Sequence, residues 1–327
     1  MVPIAVSMLH FIGEKDIKTS KIAVPILLAI VWGSGIGGFG SPLGGSANLV
    51  AISYLENICG HEFMYIDWVS RFLPFLILTM LLNLAILVAI KLPVKKLANT
   101  KDYFNDMYKQ LGPMSKGEKI GLGLFIISTV LAFARPLFAE SLPALRPAYI
   151  FFICGLLTFA LEDEEGKVLL TWKQAEKELM WGMFFLFAGG LALGKMVTGT
   201  GAATKLAEVI TILPLSGGIE TIFAFTMFST ILTEVSSNTA AASIAIPIIQ
   251  SISEALGLNV IPYILVTIVA VNCAYILPVS TRAIPIGYGL EPSELFKHGV
   301  LLSVLNILLT TVLGYIFINY WSAFGQI

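Results

Sequence analysis

Charge is scarce in this sequence: of its 327 residues only 13% are Asp, Glu, Lys or Arg, against about a quarter in ordinary soluble domains. Set beside a hydrophobic share of 57%, that scarcity excludes a soluble globular domain and marks an integral membrane protein. The net charge is -1 and no Lys/Arg block is present, so the chain has no electrostatic footprint for nucleic acid. Cysteine is sparse too. Cys59, Cys154 and Cys273 lie far apart, without CxxC or metal-ligand spacing, and read as buried small hydrophobes. The three histidines, His10, His61 and His298, are scattered toward segment ends, and neither HExxH nor GxSxG occurs. An intramembrane enzyme therefore lacks its machinery. The opening MVPIAVSMLHFIG has no charged n-region and no small-residue cleavage site, so this stretch does not read as a signal peptide.

What the sequence has instead is apolar length. A membrane-spanning helix needs about 20 mostly apolar residues, and residues 68–90, 120–134, 148–161, 179–197 and 300–318 are candidates, the second and third borrowing from their flanks. Three further apolar regions, 22–58, 222–252 and 260–288, are interrupted by polar or Gly/Pro-rich residues and read as broken helices or re-entrant hairpins. Loops 91–119, 14–21 and 162–178 hold 13 of the 20 Lys and Arg, so the positive-inside rule places them in the cytoplasm and the C-terminus outside. The stretch WKQAEKEL, 172–179, reads either as an interfacial amphipathic helix or as a solvated linker.

The chain also echoes itself. MVPIAVSM lies over AIPIIQSI, with Pro3 on Pro247, Ile4 on Ile248 and Ser7 on Ser251; SPLGGSAN lies over LPVSTRAI, with Pro42 on Pro278. The two matches come in the same order at offsets of 244 and 236, which reads as a duplicated unit of the kind that builds secondary transporters. In that register the partner of Ser237-Asn238-Thr239 falls just before Met1, and the chain reads as N-terminally truncated, its first repeat incomplete.

Inside a bilayer an unpaired backbone group costs several kcal/mol, so unwound helix marks a place where protein, water or ligand satisfies it. Ser236, Ser237, Asn238 and Thr239 form such a place, a hairpin turn followed by a helix start. Free N–H groups at that start suit an anion. The hydroxyl of Thr233 and the amide oxygen of Asn238, with turn carbonyls, suit a hard cation such as sodium. The bland alternative is interhelical hydrogen-bond glue. Residues 33–48 pack seven glycines into sixteen positions, with Pro42 and Asn48, and read as a broken helix whose counterpart runs from Pro278 to Pro285. Two charges sit at membrane depth. Glu234 is either a structural acid paired with Lys195 or a backbone donor, or a coupling-proton carrier. Arg282 offers a planar donor fork that fits an anion, with snorkelling or pairing to Glu234 as alternatives.

SNTAAASIAIPI with its preceding TE, the WGMFFLFAGGLALGKMVTGTG stretch and the GGFGSPLGGSANL break together resemble the divalent anion:sodium symporter family, which carries dicarboxylates, citrate and sulfate. The resemblance implies an all-α polytopic membrane protein, an inverted-repeat transporter with re-entrant hairpins and broken helices. It implies anion and sodium bound between the repeats and elevator motion against a homodimeric scaffold, in a cell membrane such as the bacterial inner membrane. By residue it implies anion contacts at Ser237, Asn238, Thr239, Gly45 and Thr281, sodium ligands at Thr233, Ser236, Asn238 and Ser280 in one site, and a backbone sodium ligand at Gly44 in the other; Asn48, which the family keeps, and Arg282, for its donor fork, complete the candidate anion contacts. Transport elements would occupy 1–57 and 179–298; scaffold elements would occupy 58–119, 120–178 and 299–327. The family's first SNT is absent, Ser46-Ala47 stands where its first Pro-Pro is expected, and Arg282-Ala283-Ile284 replaces its second Pro-Pro-Asn. The expectation is therefore a sodium-coupled dicarboxylate carrier. An exchanger, a proton-coupled carrier and an inactive or split-gene fragment are the alternatives.

Overall fold

The structure, a computed structural model, describes residues 1–14, 16–18, 20–90, 100–179 and 215–326, with Phe185, Ala188, Gly189, Ala192, Met196, Gly199 and Thr200. Among these residues it is all-α, with one isolated bridge between Glu162 and Val168 and no strand. The helices are α1 (Val2–Phe11), α2 (Ala23–Gly38), α3 (Ser46–Cys59), α4 (Tyr65–Ala89), α5 (Thr100–Leu111), α6 (Lys116–Phe133), α7 (Arg135–Phe138), α8 (Pro147–Leu157) and α9 (Trp172–Glu178), then α10 (Ile219–Val235), α11 (Asn238–Ala255), α12 (Val260–Asn272), α13 (Ile284–Gly287) and α14 (Pro292–Tyr320). Of these, α4 and α14 are long and apolar enough to cross a bilayer; α1, α2, α8 and α12 are shorter apolar helices. The expected span at 179–197 lies outside the described residues, apart from isolated positions.

The chain forms two compact units: Met1–Phe63 with Trp68–Thr100 and Phe185–Ile327, and Met64–Asp67 with Lys101–Phe184. In the second, α6 packs on α8. Capping boxes start α6, between Ser115 and Glu118, and α9, between Thr171 and Gln174, each satisfying helix-end donors that water or a side chain must otherwise meet. The guanidinium of buried Arg135 donates to the carbonyls of Leu142 and Pro143 at 2.9 and 3.0 Å, closing the turn before α8.

The first unit is built round α12, whose sequence VIPYILVTIVAVN is apolar on every side and is buried on every side. It packs against α10, α11, α3, α14 and α2. The arms α10 and α11 make the hairpin expected from the sequence, turning at Ser236 and Ser237 in extended backbone. Both expected breaks are present. Helix α2 stops at Gly38 and α3 restarts at Ser46; α12 stops at Asn272, and the chain runs non-helically to a 3-10 turn at Ser280–Ala283 before α13.

The polar backbone of each break is matched by a side chain from elsewhere. In the first break the Asn48 amide donates to the carbonyls of Gly38 and Ser41, both at 2.8 Å, and the Trp68 indole donates to that of Phe39 at 2.8 Å. In the second, the Glu234 carboxylate accepts from the backbone N–H groups of Tyr275 (2.6 Å), Ile276 and Leu277 (each 3.0 Å), while the Trp32 indole donates to the carbonyl of Tyr275 at 3.3 Å. These bonds satisfy groups that would otherwise each cost several kcal/mol in an apolar setting.

Candidate functional site

The two breaks and the hairpin turn enclose a cavity of about 200 Å³. Two helix starts face it. Helix α3 begins after Gly45, whose extended backbone offers no side-chain cap. Helix α11 begins after Ser237, whose hydroxyl accepts from the N–H of Ala240 at 3.2 Å. The hydroxyls of Ser46 and Thr239, each in the first turn of its helix, hydrogen-bond to each other and tie the starts together. Two positive dipole ends on one small cavity make it a place for negative charge.

Behind the hairpin turn is a cluster of oxygens. The Thr233 hydroxyl, fully buried, donates to the carbonyl of Val271 at 2.7 Å and lies 2.9 Å from the amide oxygen of Asn238. One proton serves three oxygens, so the cluster is richer in acceptors than in donors, and its hydroxyl, amide and carbonyl oxygens are the ligand types that hard cations take. These oxygens have the chemistry to hold a hard cation such as sodium.

Arg282 lies in the cavity wall and is 5% exposed. Its guanidinium donates through Nη2 to the carbonyl of Thr233 at 3.1 Å and through Nε to that of Val279 at 3.2 Å, and Nη1 stands 3.4 Å from the Glu234 carboxylate. Of the readings open for Glu234, the backbone-donor one describes its surroundings: three amides, the hydroxyl of Ser303 at 3.3 Å and Arg282. Lys195 lies outside the described residues.

Eight of the expected residues line this one cavity: Ser237, Asn238, Thr239, Gly44, Gly45, Ser280, Thr281 and Arg282. Ser280 holds φ at +58°, a left-handed value rare outside glycine, which turns the second break into the 3-10 turn. At Gly44 any side chain is barred, since a Cβ would sit 2.2 Å from the carbonyl oxygen of Gly38. Three expected residues stand apart from the lining. Thr233 lies behind Asn238; the Ser236 hydroxyl turns back to the carbonyl of Leu232 at 2.6 Å; Asn48 is fully buried and holds the first break. The sequence reading missed Asn272, whose amide donates to Asn48 Oδ1 at 3.0 Å and whose Oδ1 faces the Asn238 amide at 3.5 Å. A lone amide inside an apolar run was the signal for it.

Comparison with known proteins points the same way. The family described as the sodium:sulfate symporter transmembrane region matches residues 2–327. The sodium-dependent dicarboxylate transporter SdcS of Staphylococcus saprophyticus is 27% identical over 332 residues, covering 96% of this chain and 64% of that protein. An uncharacterized transporter of Haemophilus influenzae is 30% identical, covering 97% and 67%. SdcS of Staphylococcus aureus is 28% identical, covering 88% and 58%. The chain thus spans under two thirds of the length of the dicarboxylate transporters that it matches.

Proposed function

Because the chain belongs to the sodium:sulfate symporter family, whose members are membrane transporters, we propose that it carries small divalent anions, dicarboxylates foremost, coupled to sodium. The observation that carries the reading is the pairing of two sites across one hairpin turn: two helix starts on a small cavity, and an acceptor-rich cluster at Thr233, Asn238 and Val271 behind it. A dianion leaving water needs positive charge close by. Helix N-termini supply part of it, and a sodium ion held by Thr233 and Asn238 supplies more, with Ser236 and Ser280 as further ligands and the Gly44 backbone as a ligand of the other sodium site.

Ser237, Thr239, Gly45 and Thr281 are the residues placed to hold the anion, and Asn238 serves both ligands. Coupling follows because each charge lowers the cost of bringing in the other, and the effect is reciprocal. In this reading 1–57 and 179–298 move as transport elements against a homodimeric scaffold formed by 58–119, 120–178 and 299–327, in a bacterial cell membrane. The presence of Arg282 in the wall favours a second reading, an exchanger or proton-coupled carrier in which fixed charge replaces part of the sodium.

The test is uptake of succinate, citrate and sulfate into proteoliposomes with and without a sodium gradient. Succinate uptake that needs sodium is expected. Uptake indifferent to sodium supports the exchanger reading, and uptake of none of the three removes the substrate class.

A further inference from the structure

The guanidinium of Arg282 is surrounded by oxygen. It has the carbonyls of Thr233 and Glu234 at 3.1 and 3.5 Å, the carbonyl of Val279 at 3.2 Å and the Glu234 carboxylate at 3.4 Å. The first two carbonyls close the C-terminal turn of α10, where the helix dipole is negative. Carbonyl and carboxylate oxygens are the ligands of hard cations, and four of them with one full negative charge form a cation cage. Its occupant here is part of the protein. Nη1 has no hydrogen-bond partner within normal geometry although it is buried, so the fit is loose for a guanidinium, whose five N–H groups usually find acceptors.

We infer that Arg282 is a tethered cation filling a further cation cage on the anion cavity, so that the chain takes up fewer sodium ions than the same site would without it. The inference rests on reading the cavity as an anion site, and it adds a coupling count to that reading. With the guanidinium gone, the carboxylate of Glu234 keeps its three backbone donors, Tyr275, Ile276 and Leu277, which hold it in place. It then faces Thr233, Glu234 and Val279 carbonyls across an emptied, oxygen-lined space beside the cavity. A free sodium ion is the small hard cation that restores neutrality there. The cage at Thr233 and Asn238 is separate in its ligands, since it uses the Thr233 hydroxyl where Arg282 uses the Thr233 carbonyl.

The experiment counts radiosodium bound per purified full chain, in choline buffer, for the natural protein and for Arg282→Ala, Arg282→Gln and Arg282→Lys. The Ala and Gln variants are expected to bind one more sodium ion than the natural chain, and their thermal stability should rise more steeply with sodium. Lysine keeps a tethered charge, so Arg282→Lys should stay at the natural count. An unchanged count in both neutral variants overturns the proposal, as does a gain in the lysine variant. Should Arg282→Ala lose its fold, Arg282→Gln, which retains a donor toward the Thr233 carbonyl, carries the measurement. The count is read without transport. A chain that fails to take up succinate, citrate and sulfate would therefore defeat the proposed function and leave the sodium count to be judged by itself.

Discussion

Asn272 shows how much one side chain does in this site. It ends α12, donates to Asn48 at 3.0 Å and to the carbonyl of Ile268 at 2.9 Å, and turns its oxygen toward Asn238. Asn48 in turn holds Gly38 and Ser41, so the hairpin turn and the first break are joined through two amides. Removing the first of them orphans a buried acceptor on Asn48, which typically costs ~1–3 kcal/mol. Asn272→Ala should therefore lower the melting temperature of the purified protein and weaken sodium-dependent stabilisation more than it weakens helicity, measured by circular dichroism. Of the site residues, the SNT turn and Arg282 were legible because polar and charged groups stand out against apolar sequence. Asn272 was not singled out, because its meaning comes from Asn48, 224 positions away.

Among the elements, the breaks depend on close backbone approach. Helix α14 passes the second break at Gly299, where a Cβ would lie 2.2 Å from the carbonyl oxygen of Tyr275 and 2.8 Å from its carbon. Gly299→Ala cannot be absorbed by turning a side chain, so the break or α14 must shift, and overpacking of this kind costs ~1–3 kcal/mol. A fall in melting temperature with weaker succinate binding is the expected result. Gly121→Ala in α6 provides the contrast. No atom lies within 4 Å of the added methyl, and replacing a helical glycine should stabilise by up to about 1 kcal/mol. The hairpin and both breaks could be read from sequence, since Gly, Pro and Ser clusters cut otherwise apolar runs. Helix ends were less clear: residues 148–161 gave a span, whereas α8 covers Pro147–Leu157.

For the molecule as a whole, scarcity of charge was enough to assign a membrane protein, and the resemblance agreed with the family match over residues 2–327. Which distant segments meet was beyond reach, because no local pattern links Trp32 to Tyr275 or Ser46 to Thr239. If anion and sodium bind on either side of one turn, their effects on stability must be linked. A ligand at 100 times its dissociation constant stabilises the state that binds it by ~2.7 kcal/mol. Succinate should thus raise the melting temperature further in sodium than in choline, and sodium further with succinate than without. Equal and independent shifts would show that the two sites do not communicate.

The hydrogen bonds that hold the breaks have a genetic consequence. Their partners within the breaks are backbone groups of Gly38, Phe39, Ser41, Tyr275, Ile276 and Leu277, which no substitution deletes save proline at the three N–H donors. The partners that mutation can delete are Trp32, Trp68, Glu234 and Asn48, which belong to helices α2, α4, α10 and α3. Side chains such as those of Ile276 and Leu277 are thus free to drift while the path of the chain is preserved, and heritable control of that path resides in helices that lie outside the unwound stretches themselves.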